Sequence, residues 1–347
     1  MQPGMSPEEI RARLEDFIAR ETGAKRVCIE GLSRMPGGAS REIWRLDVSY
    51  DGAEGGMPLP LVLRRDPPGR GGESSRREEF LILKAAHAEG VPVPKVYWLG
   101  ADESTLGAPF FLMQRVEGET IARRLLRDEP YAEARRVMTG QLGEAAALIH
   151  RVDPRKHGLD FLPKPGPGES PGSSEVDRYE QVYRVLATQA HPVIELAFRW
   201  LRQHLPPAGD TVLVHGDYRI GNVIFGPEGL RSVLDWELPH MGDPMEDLGW
   251  LCTRAWRFGS DAKPVGGIGE REELFRAYEH VSGKRVEPER VRFWEIFGNL
   301  KWGIICMQQA RTYLDGRLRS VELASLGRRT SETEWELLNL IEDSHES

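Results

Sequence analysis

The polar–apolar pattern of this chain changes once, near Val116, and that change limits the folds open to it. Before it, apolar residues come in short runs with near-alternating character: EIWRLDVSY (42–50), LPLVLRR (59–65), KVYWLG (95–100) and APFFLMQRV (108–116). Glycine-rich breaks, MPGGAS at 35–40 and DGAEGGMP at 51–58, separate the early runs. Short strands joined by such turns read as an antiparallel meander. After VEGE (116–119) the apolar residues recur at helical spacing over 120–152 and 176–204, and again in FWEIFGNLKWGIICMQQA and TEWELLNLIE. The expectation is an α+β chain, with a β-rich lobe over 1–116 and a larger helical lobe over 117–347.

Caps sharpen several helix starts. Ser6-Pro7-Glu8-Glu9 and Ser75-Arg76-Arg77-Glu78 both pair a serine with a glutamate three residues on, the pattern of a capping box. Asp243-Pro244-Met245-Glu246 reads the same way, ahead of an apolar face made by Leu248, Leu251, Cys252, Ala255 and Trp256. PKPGPGESPGSS (163–174) reads as a loop.

Composition excludes several classes. Three cysteines, Cys28, Cys252 and Cys306, lie far apart with no C-x-x-C pair, which argues against a disulfide framework or a zinc knuckle and for a reducing cytoplasm. No apolar run reaches the length of a membrane span, and the charged N-terminus does not read as a signal peptide. A net charge of −8 argues against nucleic acid as a partner. The first 116 residues carry 16 basic and 17 acidic side chains and the remaining 231 carry 30 and 37, so the acidic excess sits in the helical part. A homodimer is expected only because twofold assemblies are common.

The chemistry concentrates in VLVHGDYRIGNVIFGPEGLRSVLDWE, 212–237. Two apolar runs flank the polar knot HGDYRIGN, and the second run ends in Asp235. Asp, Asn and Gly are ordinary turn residues, so a polar turn is the plain reading. However, two carboxylates and an amide oxygen are hard ligands suited to magnesium. The protein-kinase catalytic loop H-R-D-x-x-x-x-N places its Asn five residues after its Asp, as Asn222 follows Asp217 here. A metal-binding Asp then belongs at the end of the next hairpin, where Asp235 stands.

This constellation resembles the aminoglycoside phosphotransferase and choline kinase superfamily, whose catalytic loop reads H-G-D. The similarity runs through VLRRDPPG, EEFLILKA, VPVPKVY, FLMQRVEG, HGDYRIGN, VLDWE, GDPMEDLGW and NLKWGI, and is nearest to the branch related to the kinase-like domain of acyl-CoA dehydrogenase fusion proteins. The resemblance implies a protein-kinase-like two-lobed fold, with a small antiparallel β-sheet N-lobe carrying one helix and a larger helical C-lobe. It implies transfer of the γ-phosphate of ATP, or of another nucleoside triphosphate, to a hydroxyl of a small molecule, with magnesium.

By the same resemblance Asp217 orients the acceptor hydroxyl, Arg219 touches the γ-phosphate, and Asn222 and Asp235 bind the metal. His215 buttresses the loop, and Gly221 lets it turn. Gly37, Gly38 and Ser40 would cover the phosphates, although an ordinary hairpin turn explains them equally. Arg64, where protein kinases carry Lys, would pair with Glu79; a surface ion pair is the alternative. Gln114 and Val116 would meet the adenine edge, with Val62 against the ring. Asp243 and Asp247 would support the loop from outside, and Trp236, Glu237 and His240 could either pack or reach substrate. Arg64 in place of Lys also admits a second class, a nucleotide-binding pseudokinase that regulates a partner without chemistry.

Overall fold

The computed structural model describes residues 5–35, 42–51, 57–66 and 75–346, and the chain divides into two compact units. The first comprises Met1–Gly118 with two later segments, Pro154–Phe161 and Arg231–Leu238; the second holds the remainder. Gly37, Gly38 and Ser40 fall outside the described residues.

In the first unit, α1 (Pro7–Thr22) precedes β1 (Val27–Arg34), β2 (Glu42–Tyr50) and β3 (Leu59–Arg65). Then come α2 (Arg76–Ala88), β4 (Val96–Gly100) and β5 (Phe110–Gln114). The strands form one antiparallel sheet in the order β1-β2-β3-β5-β4. The first three strands form the expected meander, and of the two later ones β5 pairs with β3 and β4 takes the edge. Both expected capping boxes are formed, on Ser6 with Glu9 and on Ser75 with Glu78.

Alternation along β3 assigns its two faces. Leu61 and Leu63 join Ile10, Leu14, Phe17 and Ile18 of α1 in an apolar cluster. Burying those four α1 side chains contributes roughly 6–12 kcal/mol as an upper figure. Val62 and Arg64 point to the opposite face. There Phe80 of α2 meets Phe111 of β5 edge-on, their centroids 6.1 Å apart.

The second unit is mainly helical: α3 (Ala122–Arg127), α4 (Ala132–Arg151), α5 (Pro171–Leu186), α6 (Pro192–Gln203), α7 (Met245–Cys252), α8 (Arg271–Ser282), α9 (Pro288–Leu314), α10 (Val321–Leu326) and α11 (Thr330–Glu346). Strand β6 (Val212–Val214) pairs with β9 (His240–Gly242) in this unit, which also holds β7 (Val223–Gly226); β8 (Gly229–Val233) runs across its boundary at Leu230. No helix among the described residues is long and apolar enough to cross a membrane.

Two helix starts depart from the sequence expectation. Helix α5 begins inside the segment read as a loop, because Ser170 and Ser173 form their own capping box with Pro171 in the first turn. At α7 no capping box forms. Asp243 Oδ1 instead accepts the Met245 N–H at 2.9 Å, its other oxygen pairs with Arg290 at 2.6 Å, and Glu246 turns into the protein.

Helix α7 lies hard against α9. A Cβ on Gly249 would come within 2.6 Å of Trp294 Cβ, so only glycine permits this approach. That closeness sets Trp250 and Glu246 of α7 beside Lys301 of α9.

Candidate active site

Strand β6 delivers the chain to His215-Gly216-Asp217 through the buried Leu213 and Val214. Gly216 has φ 77, a left-handed conformation that turns the chain sharply and that side chains disfavour. Its N–H donates to Asp247 Oδ1 at 3.0 Å, and the His215 N–H donates to Asp247 Oδ2 at 2.8 Å. The ring of His150 lies between Asp247 Oδ2 and the Tyr278 hydroxyl, 3.0 Å from each. Burial would raise the Asp247 pKa, but the His150 hydrogen bond, the two imidazoles nearby and the His215 N–H outweigh it. They hold the carboxyl below the ordinary aspartate value. Asp247 therefore fastens the turn as a buried anion, the supporting role expected of it.

Three donors hold the Asp217 carboxylate. Trp250 Nε1 and Arg219 Nε reach Oδ1 at 2.8 and 3.1 Å, and Asn222 Nδ2 reaches Oδ2 at 2.6 Å. The backbone on either side is fixed as well. The Asp217 N–H donates to His215 Nδ1 at 3.2 Å, and the Asp217 carbonyl accepts from Asn222 Nδ2 at 3.0 Å. His215 buttresses the loop as expected. The Asn222 amide spends its N–H groups on Asp217, and its Oδ1 accepts no hydrogen bond among the described residues.

Gly221 acts differently from the expectation. Its φ lies outside the left-handed region, which Gly216 occupies instead; a Cβ at 221 would run into the Arg219 guanidinium. Gly221 is needed for space, not for turning. Arg219 Cζ lies over Trp256, 4.5 Å from the ring centroid, and Trp256 meets Trp302 edge-on with centroids 4.8 Å apart. Trp302 is one wall of a cavity of about 650 Å³ that Trp335, Phe258, Arg254 and Arg329 also line. Arg254 pairs with Asp261 at 2.8 Å and Glu336 at 3.3 Å, and Arg329 with Glu332 at 3.1 Å, so the cavity presents both charges beside indole faces.

In the first unit Arg64 and Glu79 meet at 3.0 Å, with side chains 10% and 1% exposed. This is a buried pair and not the surface alternative. Arg76, absent from the sequence expectation, is 1% exposed, pairs with the other Glu79 oxygen, and reaches Asp66 at 3.0 Å. Its signal was present: an Arg three residues before Glu79 on one helix face. Arg65, on the opposite face, lies 3.7 Å from Glu42.

The Gln114 N–H is committed to the Lys95 carbonyl at 2.7 Å, and the Arg115 N–H to the Pro60 carbonyl at 3.0 Å. No hydrogen bond engages the Val116 N–H among the described residues. Asp235 sits at φ 66, a conformation that Asp and Asn tolerate better than most residues and that carries strain worth about 1–3 kcal/mol. Trp236 is buried, 1% exposed, and His240 points to Glu246 at 3.1 Å, so both pack.

A five-stranded antiparallel sheet with a buried Arg–Glu pair, followed by a mainly helical unit, is a kinase-like fold. The phosphotransferase enzyme family model matches residues 32–294, and the chain belongs to that family. Acyl-CoA dehydrogenase family member 10 of Mus musculus is 36% identical over 231 residues, 63% of this chain and 21% of that protein. The chain thus spans about a fifth of that relative's length. A candidate aminoglycoside phosphotransferase of Ralstonia eutropha shares the fold at TM-score 0.74 and 26% identity, covering 94% of this chain and 97% of the other. The aminoglycoside phosphotransferase APH(4)-Ia, in a ternary complex with ADP and hygromycin B, matches at TM-score 0.59 and 16% identity over 94% and 98% of the two chains.

Proposed function

We propose that this chain transfers the γ-phosphate of ATP, with magnesium, to a hydroxyl of a small molecule. The observation that carries the reading is the hydrogen-bonding of Asp217. A carboxylate offers about four lone-pair directions, and Trp250, Arg219 and Asn222 occupy three. The remaining direction, on Oδ2, is where an acceptor hydroxyl would donate. Holding that hydroxyl in line suits a loose phosphoryl transfer, in which positioning matters more than proton abstraction.

Asn222 Oδ1 is a hard oxygen that accepts no hydrogen bond among the described residues, which suits a magnesium ligand, and Asp235 stays assigned to magnesium on sequence alone. Bound magnesium would offset charge on the transferring phosphate. Arg219 uses Nε on Asp217 and has further N–H groups for the same phosphate. Arg64, its guanidinium oriented by Glu79, is assigned to the nucleotide phosphates. The Val116 N–H and the Gln114 carbonyl are assigned to the adenine edge; the Gln114 N–H is not, being used by Lys95. Gly37, Gly38 and Ser40 stay assigned to the phosphates on sequence alone. The cavity beyond Trp302 takes the body of the acceptor.

The test is a transfer screen with γ-labelled ATP and magnesium over amino alcohols, aminoglycosides, macrolides and hydroxyacyl thioesters, with products identified by mass spectrometry. One acceptor class should gain label only when magnesium is present. Nucleotide binding without magnesium-dependent turnover, with or without acceptors, would refute the enzyme reading in favour of a regulatory pseudokinase.

A further inference from the structure

Lys301 lies in the middle of α9, 1% exposed, where an apolar side chain of similar volume would pack without the cost of burying a charge. Among the described residues its Nζ donates one hydrogen bond, to the Gly216 carbonyl at 2.7 Å. The ammonium also stands 4.6 Å from the Trp250 ring, 5.7 Å from the Tyr179 ring and 3.6 Å from Glu246 Oε1. Burial would lower its pKa, yet Tyr179, Glu246 and Glu175 outweigh that and keep it above the ordinary lysine value, so it is charged.

The two bonds of Gly216 now have a common logic. A buried anion, Asp247, takes its N–H, and a buried cation, Lys301, takes its carbonyl. The peptide that leads directly into Asp217 is therefore pinned at both ends: its carbonyl by Lys301, and its N–H by His215 Nδ1. The same ammonium rests on the indole whose Nε1 holds Asp217 Oδ1. Backbone and carboxylate of Asp217 thus answer to one side chain.

We infer that Lys301 is a positioning residue for catalysis: it fixes the direction of the Asp217 carboxylate through the Gly216 carbonyl and through Trp250. The inference rests on the phosphotransferase reading of Asp217. It goes beyond that reading by assigning a catalytic effect to a residue that touches neither substrate nor metal. A mispositioned reacting group costs up to about a hundredfold in rate, which sets the scale expected.

The experiment is single-turnover hydrolysis of magnesium-ATP, with water as the acceptor, measured over a range of ATP concentrations. This separates the limiting rate from the half-saturating concentration. Lys301→Met should lower the limiting rate about 10- to 100-fold and leave half-saturation by ATP within about twofold. Trp250→Phe, which keeps a ring but removes Nε1, should give a loss of the same kind. The double variant should lose no more than the worse single one, since both act on one carboxylate. Limiting rates within about twofold of wild type, or multiplicative losses in the double variant, overturn the inference. If Lys301→Met fails to fold, as judged by circular dichroism, Trp250→Phe alone decides: an unchanged rate overturns the proposal. Wild type and Asp217→Asn run alongside. If those two are equal, the phosphotransferase reading fails; if they differ while Lys301→Met matches wild type, only this inference fails.

Discussion

Replacing Asp247 by asparagine should release the turn that carries Asp217 while leaving the helix around it intact. The carboxylate accepts the Gly216 N–H on one oxygen, and the His215 N–H together with His150 Nε2 on the other. An asparagine side chain can keep only one of those acceptors. Its NH₂ must face a backbone N–H, so one buried donor loses its partner, at about 1–3 kcal/mol, and the surviving bond loses its charge assistance. The sum is about 2–4 kcal/mol of local stability, and since about 1.4 kcal/mol is tenfold, opening should become about 30- to 700-fold more frequent. Hydrogen–deuterium exchange with mass spectrometry reads this directly. The peptide containing His215 and Gly216 should exchange faster by that factor, while the peptide covering α9 stays protected. Exchange at 215–216 within about threefold of wild type would mean that Asp247 does not hold the turn, and would refute the argument from buried donors.

Further outcomes follow from the same geometry. Because the folded Asp247 carboxyl lies below its ordinary value, its stabilisation is complete above the unfolded aspartate pKa of about 4 and is lost as pH falls through the lower folded value. Protection at 215–216 should therefore decline below about pH 4 in wild type and lack that component in Asp247→Asn; identical acid profiles would contradict it. Glu79→Gln strips charge from a buried carboxylate shared by Arg64 and Arg76, so it should destabilise the first unit by about 3–5 kcal/mol, read as faster limited proteolysis within residues 1–118, and an unchanged digestion rate would count against it. Gly221→Ala meets only the mobile end of Arg219; urea unfolding should stay within about 1 kcal/mol of wild type while phosphate transfer drops about tenfold or more. A large loss of stability with activity retained would reverse that assignment.

Most of the architecture was legible because it is written in short-range signals. Strands β2 and β3 begin and end where alternation and glycine breaks place them, and the Ser6 and Ser75 caps declare α1 and α2 locally. The start of α5 was hidden because Ser170-Pro171 is both a breaker pair and a helix cap, and composition weighs the first meaning more heavily. Asp217 and Asn222 stand out in the sequence through their fixed spacing, and the structure brings the Asn222 amide onto the Asp217 carboxylate. Trp250, His150, Tyr278 and Lys301 were not found as parts of the site, since each reaches the turn from a distant helix and nothing in local sequence marks such a meeting. Lys301 left one trace, a lysine in the otherwise apolar run of NLKWGI. Gly221 was misread for a physical reason: a glycine in a turn suggests backbone freedom, whereas here it makes room for a guanidinium.

The central claim is that Asp217 directs phosphoryl transfer, and single-turnover magnesium-ATP hydrolysis by wild type and Asp217→Asn tests it most directly. Positioned proton-accepting groups contribute about 10²–10⁴-fold, and the variant also sets its own amide against that of Asn222. The account predicts at least a hundredfold slower turnover, about the lower end of that range, with ATP still bound. Equal rates in the two proteins would contradict it.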